Sequence, residues 1–152
     1  MLVRVRKYRV PWIRRPFVKI TVETLVDAPL EDVWRAWTTP SDIKKWNAAS
    51  DDWHTTDAKV DLRVGGKFSS RMEAKDKSAG FDFAGTYTKV KHEQRIEAKF
   101  GDRYLVVEFI EGPNGITVRE TFDAETTHPA EQQREGWQAI LNNFARHVES
   151  GN

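Results

Sequence analysis

A chain of 152 residues without cysteine has room for one domain and excludes disulfides, thiolate metal sites and cysteine nucleophiles. Its 24 basic and 23 acidic residues nearly cancel, and no apolar stretch approaches the roughly 20 residues of a membrane span. Six tryptophans and eight phenylalanines are a heavy aromatic load, which calls for a large core or a cavity to line.

The charge is unevenly placed. Residues 1–17 carry Arg4, Arg6, Lys7, Arg9, Arg14 and Arg15 and no acid, which leaves 18 basic against 23 acidic residues from Val18 onward. A basic arm over residues 1–17 is therefore expected before a domain over residues 18–150. Arginines interrupt every apolar run of the arm, so no secretory leader is legible there. The absence of cysteine suits a reducing cytoplasm, the expected location. The arm makes no strong case for nucleic acid or membrane, since runs of charge are commonly solvated.

Lys19 to Asp27 alternates, with Ile20, Val22 and Val26 on one face, and predicts a first strand. Asp27-Ala28-Pro29 starts a helix with Pro29 at its first position, Glu31 and Asp32 in its first turn, and Val33, Trp34 and Trp37 as its apolar stripe. Thr39-Pro40-Ser41-Asp42 repeats the start signal for a second short helix bearing Ile43 and Trp46. Pro40 disfavours helix at Thr39, so the two form a corner rather than one rod.

From Trp53 to Asp123 the period is two. Gly65-Gly66 opens a strand with Phe68, Ser70 and Met72, and Lys75 to Ala79 is a polar turn. Phe81 to Val90 sets Phe81, Phe83, Gly85 and Tyr87 on one face. Ile96, Ala98 and Phe100 follow, then a Gly101-Asp102 hairpin, then Leu105, Val107 and Phe109. Gly112-Pro113-Asn114-Gly115 turns into Ile116, Val118, Glu120 and Phe122. Consecutive hairpins imply an antiparallel meander buried on one face, with Gly65-Gly66 and Gly85 as candidate bends. Pro129 to Glu149 is the longest helix, with Trp137, Ile140, Leu141, Phe144 and Val148 at helical spacing. The fold class is α+β: a curved antiparallel sheet wrapped around a long C-terminal helix, with two short helices after the first strand.

Asp27-Ala28-Pro29 with Val33-Trp34, Thr39-Pro40 leading to Lys45-Trp46, Val64-Gly65-Gly66-Lys67-Phe68, Phe83-Ala84-Gly85-Thr86-Tyr87 and Glu135-Gly136-Trp137 carry a resemblance. In order and spacing they resemble the START-like, or SRPBCC, superfamily, and its branch named after the activator of heat shock protein 90 ATPase. The resemblance covers about residues 19–149. It implies a helix-grip fold around a hydrophobic cavity. Members of the superfamily include lipid carriers, receptors, cyclases and co-chaperones, so the likeness speaks to fold more than to function.

Few residues suggest chemistry. There is no phosphate loop and no Gly-x-Ser-x-Gly elbow. The histidines His54, His92, His128 and His147 are scattered with no ligand spacing, so neither a metal nor another cofactor is expected. His128 reads as capping or exposed, His92 as exposed in a turn, and His147 as complementing the last helix's C-terminal dipole. His54, beside Asp51 and Asp52, is placed near the cavity mouth, with Trp46 and Trp53 as gates or as corner packing.

The expected ligand-binding set is Trp53, His54, Met72, Phe81, Phe83, Tyr87, Glu120, Trp137 and Leu141. Glu120 shares a face with apolar neighbours and so points inward, unless a bulge turns it out. Gly136 either exposes backbone to the cavity or packs closely on the sheet. The expected function is binding of a small hydrophobic or amphipathic molecule. The alternatives are a polyketide cyclase- or aromatase-like enzyme using His54, Tyr87 or Glu120, and a chaperone ATPase activator-like interaction domain. Deleting residues 1–16 is expected to leave the melting temperature nearly unchanged; a loss of several degrees would show that the arm pairs with the domain.

Overall fold

The computed structural model describes residues 18–151, and the basic arm lies outside the described residues. Among the described residues seven antiparallel strands form one sheet: β1 (Lys19–Val26), β2 (Trp53–Val60), β3 (Lys67–Ala74), β4 (Gly80–Lys91), β5 (Arg95–Phe100), β6 (Arg103–Gly112) and β7 (Gly115–Asp123). Their spatial order is β1-β7-β6-β5-β4-β3-β2, so the first two strands in sequence are the two edges. Helices α1 (Leu30–Thr38) and α2 (Pro40–Trp46) follow β1, and α3 (Ala130–Glu149) closes the chain.

The short helices form as the sequence reading expects, with one shift. Pro29 is the residue before α1, extended at φ −62° and ψ 146°, and not its first helical position. Its carbonyl still accepts from the N–H groups of Asp32 and Val33. Thr39 is extended at φ −101° and ψ 121°, as Pro40 requires, and that one residue makes the corner.

The sheet's irregularities do not fall on the glycines expected to bend it. The register shifts between Thr55 and Asp57 in β2 and between Tyr87 and Lys89 in β4. Extra residues there increase local twist and help curl the sheet. Gly65-Gly66 instead pairs with the Tyr87 main chain: the Tyr87 N–H donates to Gly66 O at 2.9 Å, and the Gly65 N–H donates to Tyr87 O at 2.8 Å. Gly85 answers to packing. A Cβ there would lie 2.5 Å from Lys99 O and 2.8 Å from the Phe68 ring, so only hydrogen lets Phe68 cross the strand.

The concave face carries Ile20, Val22, Ile96, Ala98, Leu105, Val107, Val118 and Phe122, all buried. Helix α3 makes its closest approach at the β1 side of this face. It packs on β1 and on the two short helices. Arg134 Nη1 donates to Thr21 O at 2.8 Å and Gln138 Nε2 to Glu23 O at 3.0 Å, so the helix seals carbonyls that the β1 edge would leave open. The Trp137 ring stacks on Phe122 at 3.8 Å and 11°, and Phe144 meets Trp37 and Trp46 edge-on at 4.9 Å each.

His147 lies in the last turn of α3. It is half-buried, with Nε2 2.8 Å from Asp42 Oδ1, which ties the helix end to α2 rather than simply complementing a dipole. His92 and His128 are exposed, and His128 bonds Glu125. Replacing Gly85 by Ala is expected to cost about 1–3 kcal/mol from overpacking, read as a lower urea midpoint at unchanged slope; an unchanged midpoint would show that both the Phe68 ring and the β5 main chain at Lys99 can move aside.

Candidate functional site

Because α3 is held at the β1 side, space remains between its N-terminal half and strands β2, β3 and β4. That space is a cavity of about 430 Å³. The cavity-facing stripe of α3 is Gln133, Gly136, Trp137 and Ile140, an i, i+3, i+4, i+7 set. The next stripe, Leu141, Phe144, Ala145 and Val148, is buried in solid core. Leu141 is 0% exposed and does not line the cavity, contrary to expectation. Helical spacing put it on the apolar side, and only the packing divides that side into a wall and a core.

The sheet contributes Phe68, Ser70 and Met72 from β3, Phe81, Phe83 and Tyr87 from β4, Ile96 and Ala98 from β5, Leu105 and Val107 from β6, and Glu120 from β7. The corner adds Trp37, Ile43, Trp46 and Asn47, and β2 adds Trp53, Lys59 and Val60. Phe81, 49% exposed, lies 5.9 Å from the Trp53 ring, and the two form the more open part of the rim. Trp46 is buried, stacks on Trp37 at 5.0 Å and donates from Nε1 to Ala36 O at 3.0 Å, so it packs the corner while presenting an edge to the cavity.

His54 does not join this group. It is exposed and lies opposite Glu73 on β3, while its neighbours Trp53 and Thr55 face inward. Period two forbids Trp53 and His54 from sharing a face, and that rule was readable in the sequence. The expected set also passed over Gln133 and Ile140, which share helical spacing with Trp137, and Phe68 and Ser70, which share a strand face with Met72. Gly136 is not closely packed: a Cβ there meets nothing within 4 Å.

Glu120 points inward. It is 5% exposed, flanked by Val22 of β1 and Val107 of β6. No described residue gives it a hydrogen bond or an ion pair. Burial alone pushes its carboxyl up to about 8. Asp123, three residues on, is equally buried but satisfied: Lys19 Nζ lies 2.5 Å from Oδ1, and the Tyr104 N–H donates to Oδ2 at 2.8 Å. Two further cavity groups lack partners among the described residues. Ser70 is buried without a bond to its hydroxyl, and the Tyr87 phenol is pushed up to about 12, by burial first and then by the charge on Asp61. Among the described residues no cluster of histidine and carboxylate side chains could hold a metal ion, and no helix is long and apolar enough to cross a membrane.

Known proteins with this architecture settle the family. The profile described as activator of Hsp90 ATPase homolog 1-like protein matches residues 27–149. The chain belongs to that family. With it the chain belongs to the START-like, or SRPBCC, superfamily. An activator of Hsp90 ATPase homolog 1-like protein from Aeromonas hydrophila, solved in solution, is 50% identical, with a TM-score of 0.83 over 88% of this chain and 94% of that one. A Cytophaga hutchinsonii protein is 45% identical, with a TM-score of 0.76 over 88% and 93%. One from Chromobacterium violaceum is 25% identical, with a TM-score of 0.78 over 87% and 98%. A comparison with curated proteins finds no match.

An unpartnered buried carboxyl should weaken the fold as it ionises. With its folded value raised above the ordinary 4.5 to about 8, its contribution is fully present below about pH 4.5 and is lost as pH rises toward about 8. The loss is on the order of a few kcal/mol. Glu120→Gln is neutral throughout, so its melting temperature should match the parent near the acid end of that window and exceed it at the alkaline end. Thermal melts across the window would refute this if the gap stayed constant.

Proposed function

We propose that this domain binds a small, mainly apolar molecule in the cavity between the sheet and α3. The observation that carries the reading is the make-up of that cavity: about 430 Å³ walled by aromatic and aliphatic side chains, with one buried carboxyl held open to it. Ligand pockets commonly run roughly 300–1,000 Å³, apolar with a few placed polar groups. Trp53, Met72, Phe81, Phe83, Tyr87, Glu120 and Trp137 are the ligand-contacting residues of this proposal, and His54 and Leu141 are left out.

The open space over Gly136 supports the same reading. A mid-helix glycine that touches nothing costs about 0.5–1 kcal/mol relative to alanine. Keeping the cavity wall bare is a function for that cost.

The family's description favours a second reading, stimulation of an Hsp90-type ATPase through a surface of the domain. Its test is the ATPase rate of such a chaperone with and without this chain, and an unchanged rate ends it. A cyclase-like reading would rest on Glu120 and Tyr87 alone, since His54 faces away from the cavity.

Gly136→Ala is expected to raise stability by about 0.5–1 kcal/mol. Gly136→Phe is expected to stay folded, because its ring grows into the void, and to lose the ligand. Native mass spectrometry of the purified chain and of Gly136→Phe checks this. A co-purified small molecule in the parent and none in the variant is the expected result, and equal retention by both contradicts the assignment.

A further inference from the structure

We propose that the molecule held in this cavity is an arylalkyl amine, bound as the ammonium ion with its nitrogen against Glu120 and its ring system among Trp37, Trp46 and Trp137. The proposal rests on the ligand-binding reading and deepens it to a chemical class.

The argument begins with the inventory of charge. The titratable side chains lining the cavity are Glu120, Tyr87 and Lys59. Lys59 is exposed on edge strand β2. Beside Glu120, β1 and β6 present Val22 and Val107, and α3 contributes Gln133, Gly136, Trp137 and Ile140 to the cavity wall, none of them charged. The Gln133 amide is already committed: Nε2 donates to the carbonyls of Glu125 and His128, and Oε1 accepts from the Glu125 N–H. A carboxylate or phosphate head entering here would find no buried counter-charge and one acid. Anionic amphiphiles are therefore the class the cavity selects against.

Between a neutral and a cationic head, the carboxyl decides. Among the described residues Glu120 is the one acid that lines the cavity, it is buried, and it has no hydrogen-bond or ion-pair partner. An alcohol could hydrogen-bond a protonated Glu120 but gains no charge assistance. An ammonium ion forms a charge-assisted hydrogen bond with the ionised carboxylate and gives it the partner it lacks. Trp37, Trp46 and Trp137 also line the cavity and supply apolar wall for the rest of the molecule.

The exchange is a proton release. In water the amine is an ammonium ion, and below about pH 8 the free site holds Glu120 as the acid. On binding, the carboxyl proton passes to solvent and an ammonium–carboxylate pair remains, with no other bond made or broken. Affinity should then rise with pH, by up to about tenfold per unit, until Glu120 is ionised in the free protein as well.

The test is calorimetry on the full chain with naphthylethylamine, naphthylethanol and naphthylacetate, between about pH 6 and about pH 8 and in buffers of different ionisation heat. The amine should bind about tenfold or more tighter than the alcohol, the acetate should be weakest, and the amine alone should release close to one proton. Glu120→Gln should remove the amine's advantage and the proton release; the parent's pH series stands by itself if that variant does not fold. An alcohol or acetate that binds as tightly as the amine, an amine bound without proton release, or a Gln variant that keeps the preference overturns the amine assignment alone. Failure of all three probes to bind overturns the ligand-binding reading with it.

Discussion

The fastening of α3 to one margin of the sheet is the constraint on which the rest depends. A helix centred on the concave face would fill it with its own side chains. Here Arg134 and Gln138 hydrogen-bond the main chain of β1, and His147 meets Asp42 on α2. Those polar attachments lie along one side and at one end of the helix. Its C-terminal half packs solidly, and its N-terminal half spans open space above β3 and β4. The Trp137–Phe122 stack stops the helix from dropping into that space, as a nearly parallel ring pair at 3.8 Å leaves nothing to compress.

The two buried acids of β7 show what the cavity costs. Asp123, at the strand end, is neutralised by Lys19 and by a backbone donor, as buried carboxylates usually are. Glu120 lies in the same strand with valines on either side and has neither among the described residues. A leucine of similar length would suit that position better by the logic of packing alone. Unfavourable polar groups of this kind concentrate where a protein does something other than fold. The bare helix surface at Gly136 points the same way, since both features sacrifice stability at the wall of one void.

Much of this was readable from residues. Alternation located the strands, and the Gly101-Asp102 and Pro113-Asn114 loops located two hairpins. Pro40 located the corner, and apolar neighbours at even spacing turned Glu120 inward. The differences have physical causes. Glycine permits a bend without requiring one, and the register shifts fall beside Thr55 and Tyr87, residues with no unusual propensity for bulging. His54 and Trp53 both adjoin the corner, but adjacent strand residues face opposite ways. Leu141 and Trp137 share one helical stripe, which carries no mark of where packing ends and empty space begins.

Periodicity is a local property, so the sequence by itself determined which residues form strands and helices and which faces turn inward. The family likeness added the order in which those elements assemble. Only the tertiary structure decided that the apolar face of α3 divides into a core half and a cavity half, that Gly136 borders open space, and that Glu120 has no partner among the described residues where Asp123 has two. Each of these depends on where groups distant in the chain come to rest: Thr21 and Glu23 against Arg134 and Gln138, and Lys19 against Asp123. Whether a buried group is satisfied, and whether a void is left beneath a helix, are facts about relative position in space, and no spacing along a chain encodes them.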